Sequence, residues 1–76
     1  MKVRNIGSNM TELVLGHTRI MFSYSTPVAG QDDEGLFRTA QRYSSTTSRH
    51  INKYLGKGVG RVVPQAYIDS LVGEGA

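Results

Sequence analysis

His17 and His50 are the only imidazoles in the chain, and no Cys accompanies them. Neither has a carboxylate three or four residues further on, so no single element supplies a metal-binding pair. Ser44, Ser45 and Ser48 lie close to His50. A hydrolase needs a nucleophile, a base and an orienting acid, and no Gly-x-Ser-x-Gly elbow surrounds these serines. Hydroxyls just ahead of a helical pattern are better explained as helix caps. Asp32, Asp33 and Glu34 have the oxygens for a hard cation but lack the spaced ligands and distal Glu of a calcium loop, so they read as a solvated turn. Gly56-Lys57-Gly58-Val59-Gly60-Arg61 invites comparison with a phosphate loop. A Walker loop, however, places Gly-Lys-Ser/Thr after four free residues and before a helix, and here Lys57 precedes Gly58. The residues thus point to no catalytic set, no metal ligands and no cofactor, and the expectation is a protein that is not an enzyme.

Charge offers a different chemistry. Nine Lys plus Arg stand against six Asp plus Glu, a net +3, but the signs are segregated. Between residues 38 and 61 the chain carries Arg38, Arg42, Arg49, Lys53, Lys57 and Arg61 and no acid. Together with Asn52, these are the candidate macromolecule-binding residues. Such a stretch can neutralise phosphates and release counterions, or it can be a solvated face that maintains solubility. Tyr24, Phe37, Tyr43 and Tyr54 can stack bases between the cations, with packing as the alternative use of the same rings.

The elements that must position these residues follow from periodicity. Residues 11–15 and 18–24 alternate as strands about Gly16-His17, where Gly at the first turn position suits a type II′ hairpin. On the second strand Ile20, Phe22 and Tyr24 share one face, expected to be core. Pro27 removes a donor and marks a bend, bulge or edge, with Val28-Ala29 resuming beyond it. Residues 36–43 return as a third strand, on which Arg38 and Arg42 point the same way. A hydroxyl at Ser45 or Thr46 opens a helix that ends at Leu55 before Gly56, with Ile51, Tyr54 and Leu55 as its apolar stripe. Pro64 fits the first turn of a second helix bearing Tyr67, Ile68, Leu71 and Val72 and ending at Gly73.

The expected fold is therefore α+β, a small antiparallel sheet of about three strands within residues 11–43 followed by two short C-terminal helices on one face. The 76 residues form one small domain with its core at about 11–72; residues 1–9 and 74–76 are expected to be loose. Without Cys, packing alone must hold so small a core, and association into a homodimer would add burial. No apolar run reaches a membrane span of about 18 residues, and the opening residues do not read as a signal peptide, so no membrane partner is expected.

Three ordered pieces carry a resemblance: Ile20-Met21-Phe22-Ser23-Tyr24-Ser25-Thr26-Pro27-Val28-Ala29, then Phe37-Arg38-Thr39 to Tyr43-Ser44, then Thr46-Thr47-Ser48-Arg49-His50-Ile51-Asn52-Lys53-Tyr54-Leu55. Over residues 18–72 the chain resembles a family of small bacteriophage proteins of unknown function. The resemblance implies a phage origin and work in the cytoplasm of a bacterial host, and brings no functional residue. Two readings of the last piece stay open. In one, Thr46 or Thr47 caps while His50 and Asn52 bond the Thr26-Pro27 bend; in the other, Arg49, Asn52 and Lys53 form a recognition surface. The functional expectation is a non-enzymatic accessory protein that binds a host or phage protein, inhibition of a host enzyme or defence complex being one form. The alternative is a nucleic-acid-binding protein that uses the basic stretch.

Overall fold

The computed structural model describes residues 2–75, in the order β1 (Lys2–Gly7), β2 (Met10–Leu15), β3 (Thr18–Ser23), β4 (Thr26–Asp32), β5 (Gly35–Thr39), α1 (Ser45–Leu55), β6 (Arg61–Val63) and α2 (Gln65–Gly75). All six strands form one sheet in sequence order. The first five make an antiparallel meander, and β6 returns parallel to β5 after α1. The α+β class and both helices stand, but the sheet has six strands instead of about three.

The extra strands have identifiable causes. Lys-Val-Arg-Asn-Ile-Gly shows no apolar alternation because β1 is an edge strand with most side chains exposed, so residues expected to be loose are paired with β2. Pro27 does sit at an irregularity, as its missing donor requires. The β3–β4 register shifts between Met21 and Phe22, leaving Val28 between the paired Pro27 and Ala29, and β4 continues through it. β6 is only three residues long and depends on β5 for its partners. Conversely, β5 ends at Thr39, so Arg42 lies beyond the strand that was expected to carry it.

The helices lie on opposite faces, contrary to the one-faced packing expected. Adjacent β3 residues Ile20 and Met21 point to opposite sides, and each joins a different core. Met21, Met10, Val28 and Ala29 pack with Ile51 of α1, and Ile20, Phe37 and Val63 pack with Ile68 of α2. Both faces of β3 are therefore buried at the centre of the sheet, which is why Ser23, on a face that reads as polar, is 1 % exposed.

Local chemistry closes the elements. Ser44, one residue ahead of the expected caps, is the N-cap of α1, and its Oγ accepts from Thr47 N at 3.1 Å. The helix ends before Gly56, whose φ of 108° favours glycine. Gly16 has φ 61° and His17 no positive φ, consistent with the type II′ hairpin. α2 runs past Gly73 to Gly75; the expectation for Ala76 lies outside the described residues. At Gly30 a Cβ would stand 2.1 Å from Arg19 O and 2.7 Å from Phe37 Cζ, so the buried ring and the neighbouring strand both need a bare backbone there.

Gly30→Ala is expected to destabilise the fold by about 3 kcal/mol, the upper end of ordinary overpacking costs, because a backbone oxygen cannot yield as a side chain can. Urea denaturation followed by circular dichroism checks this, and an unchanged midpoint would contradict the packing described.

Candidate functional site

The cations expected to form one binding surface are divided by the fold. Arg38, on the α1 face of β5, is fully engaged: its Nε donates to Val59 O at 2.9 Å, one terminal nitrogen to Asn52 Oδ1 at 3.1 Å and the other to Gly56 O at 2.9 Å. It ties the C-terminus of α1, where carbonyls lack helical partners, to the sheet. Asn52 serves the same latch. Arg61 is on the other face, paired with Asp32 at 2.7 Å and Glu34 at 3.4 Å. Tyr67 donates to Asp32 there, and that bond raises the phenol's pKa above its ordinary value. A pocket of about 350 Å³ beside this cluster is lined by Thr18, Asp32, Asp33, Glu34, Tyr67 and Leu71. Arg42, Arg49, Lys53 and Lys57 remain exposed, and among the described residues none of the four forms an ion pair.

The Thr-Thr-Ser-Arg-His-Ile-Asn segment acts as a lock between helix and sheet, but on Ser23 and not on the Thr26-Pro27 bend. Ser23 Oγ lies 3.0 Å from Thr47 Oγ1 and 2.7 Å from His50 Nδ1, and Ser44 Oγ donates to Thr47 Oγ1 at 3.3 Å. The hydroxyls and the ring form one connected chain from Ser44 through Thr47 and Ser23 to His50 Nδ1, in which the donor directions at Ser23 follow the tautomer of the ring. Ser23 and His50 form a serine–imidazole pair, yet the hydroxyl is sealed beneath α1 where no substrate carbonyl can reach it. Their work is structural. The Thr26-Pro27 bend is held instead by α2, whose Gln65 Nε2 donates to Pro27 O at 2.7 Å.

A second polar contact fixes the far end of α1. Tyr54 donates to Glu12 Oε2 at 2.6 Å, and Arg4 of β1 approaches the same carboxylate at 3.7 Å. Glu12 is buried on the α1 face of β2. Burial, followed by the bond to Glu12 and its charge, pushes the Tyr54 phenol well above its ordinary pKa, with Arg19 and Arg4 pulling weakly the other way.

A second open surface is an apolar groove on the α2 face. α2 packs mainly over β4, which leaves β1 uncovered and Leu13 and Phe22 only partly buried at the margin of the core. There Val3, Thr11, Leu13, Phe22 and Tyr24 line an open cavity of about 240 Å³, with Val3 64 % and Tyr24 54 % exposed. Tyr24 occupies the β3–β4 turn with φ 57°, a left-handed conformation that bulky side chains rarely adopt, and its ring lies 5.8 Å from that of His50. Ile20 and Phe22 pack on the core as expected, but Tyr24 on the same face is exposed, and the groove was missed because its rim depends on Val3 of an edge strand whose pattern does not alternate. The only available signal was Val3 itself, an apolar residue among Lys2, Arg4 and Asn5.

Residues 1–70 match the model of a family of unknown function (DUF8033). No curated protein and no solved structure matches the chain. Among the described residues no helix is long and apolar enough to cross a membrane.

Because the raised phenol pKa stabilises the fold only while Tyr54 is protonated, its contribution is complete below the unfolded tyrosine value of about 10 and fades as pH climbs from there through the folded value. Tyr54→Phe is expected to cost about 2 kcal/mol at pH 7, as Glu12 loses a donor. The gap between wild type and variant should then narrow above pH 10. Urea midpoints from pH 7 to 11 measure it, and a constant gap would show that the contact is not coupled to ionisation.

Proposed function

We propose, for a chain that belongs to this family of unknown function, that it is a non-enzymatic bacteriophage accessory protein that binds a host or phage protein in the cytoplasm of the bacterial host. Blocking the surface of a host enzyme or defence complex is the form this binding takes most simply, since a small rigid domain needs no chemistry for it. The motif resemblance over residues 18–72 supports the phage origin. The observation that carries the binding reading is the apolar groove, where Val3 and Tyr24 stay exposed beside Leu13 and Phe22. Contiguous apolar surface of this kind marks interaction sites. Tyr24 strengthens the point: a left-handed turn position costs a residue other than glycine about 1–2 kcal/mol, and keeping an exposed aromatic there serves a contact and not the core.

A photo-cross-linking residue at Thr11, inside the groove, should yield protein adducts in bacterial lysate. Val3→Glu should remove them, and because Val3 is exposed the fold should tolerate the change. Failure to form any protein adduct from Thr11 would overturn the reading.

One observation favours a second reading, nucleic-acid binding. Arg49 and Lys53, one turn apart on α1, project with Arg42 and Lys57 into solvent without an acidic partner among the described residues. For such a complex, anisotropy of labelled single- and double-stranded DNA and RNA should show binding that weakens steeply with salt. Arg49→Ala or Lys53→Ala should each flatten the slope by roughly one unit. Arg38→Ala and Arg61→Ala should act mainly on stability, and flat traces at low salt would exclude this reading.

A further inference from the structure

The sheet has one long free edge. β6 at one end is three residues long, whereas β1 at the other presents six residues whose outward N–H and C=O groups have no strand beside them among the described residues. The two faces at this edge differ in chemistry. On the α1 face the register aligns Lys2 with Val14 and then Arg19, and Arg4 with the buried Glu12 that it approaches at 3.7 Å, so Lys2, Arg4 and Arg19 give this face three cations against one carboxylate. On the α2 face it aligns Val3 with Leu13, which with Phe22 and Tyr24 form the groove. A strand laid along β1 would continue both surfaces, and because successive side chains alternate, one residue type would meet the cations and the other the groove.

We propose that β1 accepts an extended segment of a partner protein in which acidic and apolar residues alternate, added as a seventh strand. This rests on the binding reading above and specifies its partner. Main-chain hydrogen bonds supply affinity and the alternating side chains supply selectivity, with acids facing Lys2 and Arg4 and apolar residues extending the rim at Val3.

A second copy of the chain fits the edge poorly. In a two-fold antiparallel pairing of β1 with itself that keeps like faces together, the register centred on Arg4 sets Arg4 against Arg4. The register centred on Val3 sets Lys2 against Arg4. Like charges directly opposite are destabilising in a sheet. Centring on Asn5 removes that clash but sets Val3 against Gly7 and Arg4 against Ile6, which leaves no apolar pair.

The test uses the whole protein and a fluorescein-labelled peptide of about eight residues, a typical strand length, that alternates Glu and Val. Its controls are a peptide of the same composition with the Glu residues in one block, and an alternating peptide N-methylated on one edge. Anisotropy should show the alternating peptide binding at least about tenfold more tightly than the blocked one, a difference of about 1.4 kcal/mol. N-methylation should abolish binding. Lys2→Glu should weaken it about tenfold, as should Arg4→Gln, which leaves Glu12 its Tyr54 donor. Equal binding of the blocked peptide would overturn strand addition in favour of bulk charge attraction. Dimerisation through β1, seen as concentration-dependent sedimentation that Lys2→Glu enhances, would overturn it in favour of a second copy. No peptide binding while Thr11 still cross-links to protein would overturn strand addition alone; loss of both would overturn the groove reading as well.

Discussion

A six-stranded sheet is wider than the helices available to cover it. Strands about 4.8 Å apart make a sheet near 24 Å across, while a helix with its side chains is about 10 Å wide. One helix on each face therefore covers roughly two to three strands. Both helices settle over the centre, α1 over β3 and β4 and α2 over β4, so the core is deepest there and the β1 end is bare on both sides. The polarity of that end follows from the covering. Where α1 does not reach, the strands carry Lys2, Arg4 and Arg19, and where α2 does not reach they carry Val3 and part of Leu13 and Phe22.

With so small a core, polar contacts place the helices. α1 is held at three points along its length: Thr47 and His50 on Ser23 near its start, Tyr54 on Glu12 in its last turn, and Arg38 on the carbonyls just beyond its end. Each joins a buried or half-buried polar group to a partner, and removing one partner would leave the other desolvated and unsatisfied. These contacts fix the crossover between β5 and β6 and hence the parallel sixth strand. α2 is set by Gln65 on Pro27 O and by the Tyr67–Asp32–Arg61 cluster, so one residue of the acidic turn, Asp32, anchors the second helix while Asp33 and Glu34 stay exposed as a solvated turn would.

What the sequence disclosed and what it hid divide along one line, whether a residue's role is local. The end of α1 at Gly56, the hairpin at Gly16 and the apolar stripe of α2 depend on neighbours a few residues away and were legible. β1 and β6 form because another strand already exists beside them, which no local pattern encodes, and β4 looked interrupted because Pro27 is tolerated only at a bulge that the register reveals. The candidate binding residues show the same division. Arg38, Asn52 and Arg61 look like members of a charge run, yet their partners, Gly56 O, Val59 O, Asp32 and Glu34, are brought together by the crossover. The run of cations is continuous in the chain and discontinuous in space. Of the two readings left open for His50, the one that bonds it within the fold named the Thr26-Pro27 bend, and Ser23 could not be named as its partner without knowing that β3 is buried on both sides.

An exposed edge strand is a template for unwanted pairing. Proteins protect long edges with charges, bulges or short strands. β6 is protected by brevity. β1 carries a register irregularity between Asn5 and Gly7, where Asn5 Oδ1 turns back to accept from Gly7 N at 3.1 Å, and it carries Lys2 and Arg4. These two charges repel a second β1, but they do so by sign and leave the edge's hydrogen-bonding groups and the apolar rim intact. A charge that disfavours the self-pairing registers centred on Val3 and Arg4 also favours a strand of opposite charge. The protection of this edge and its selectivity are thus one property of the same two side chains, and a proline in β1 would have given the first without the second.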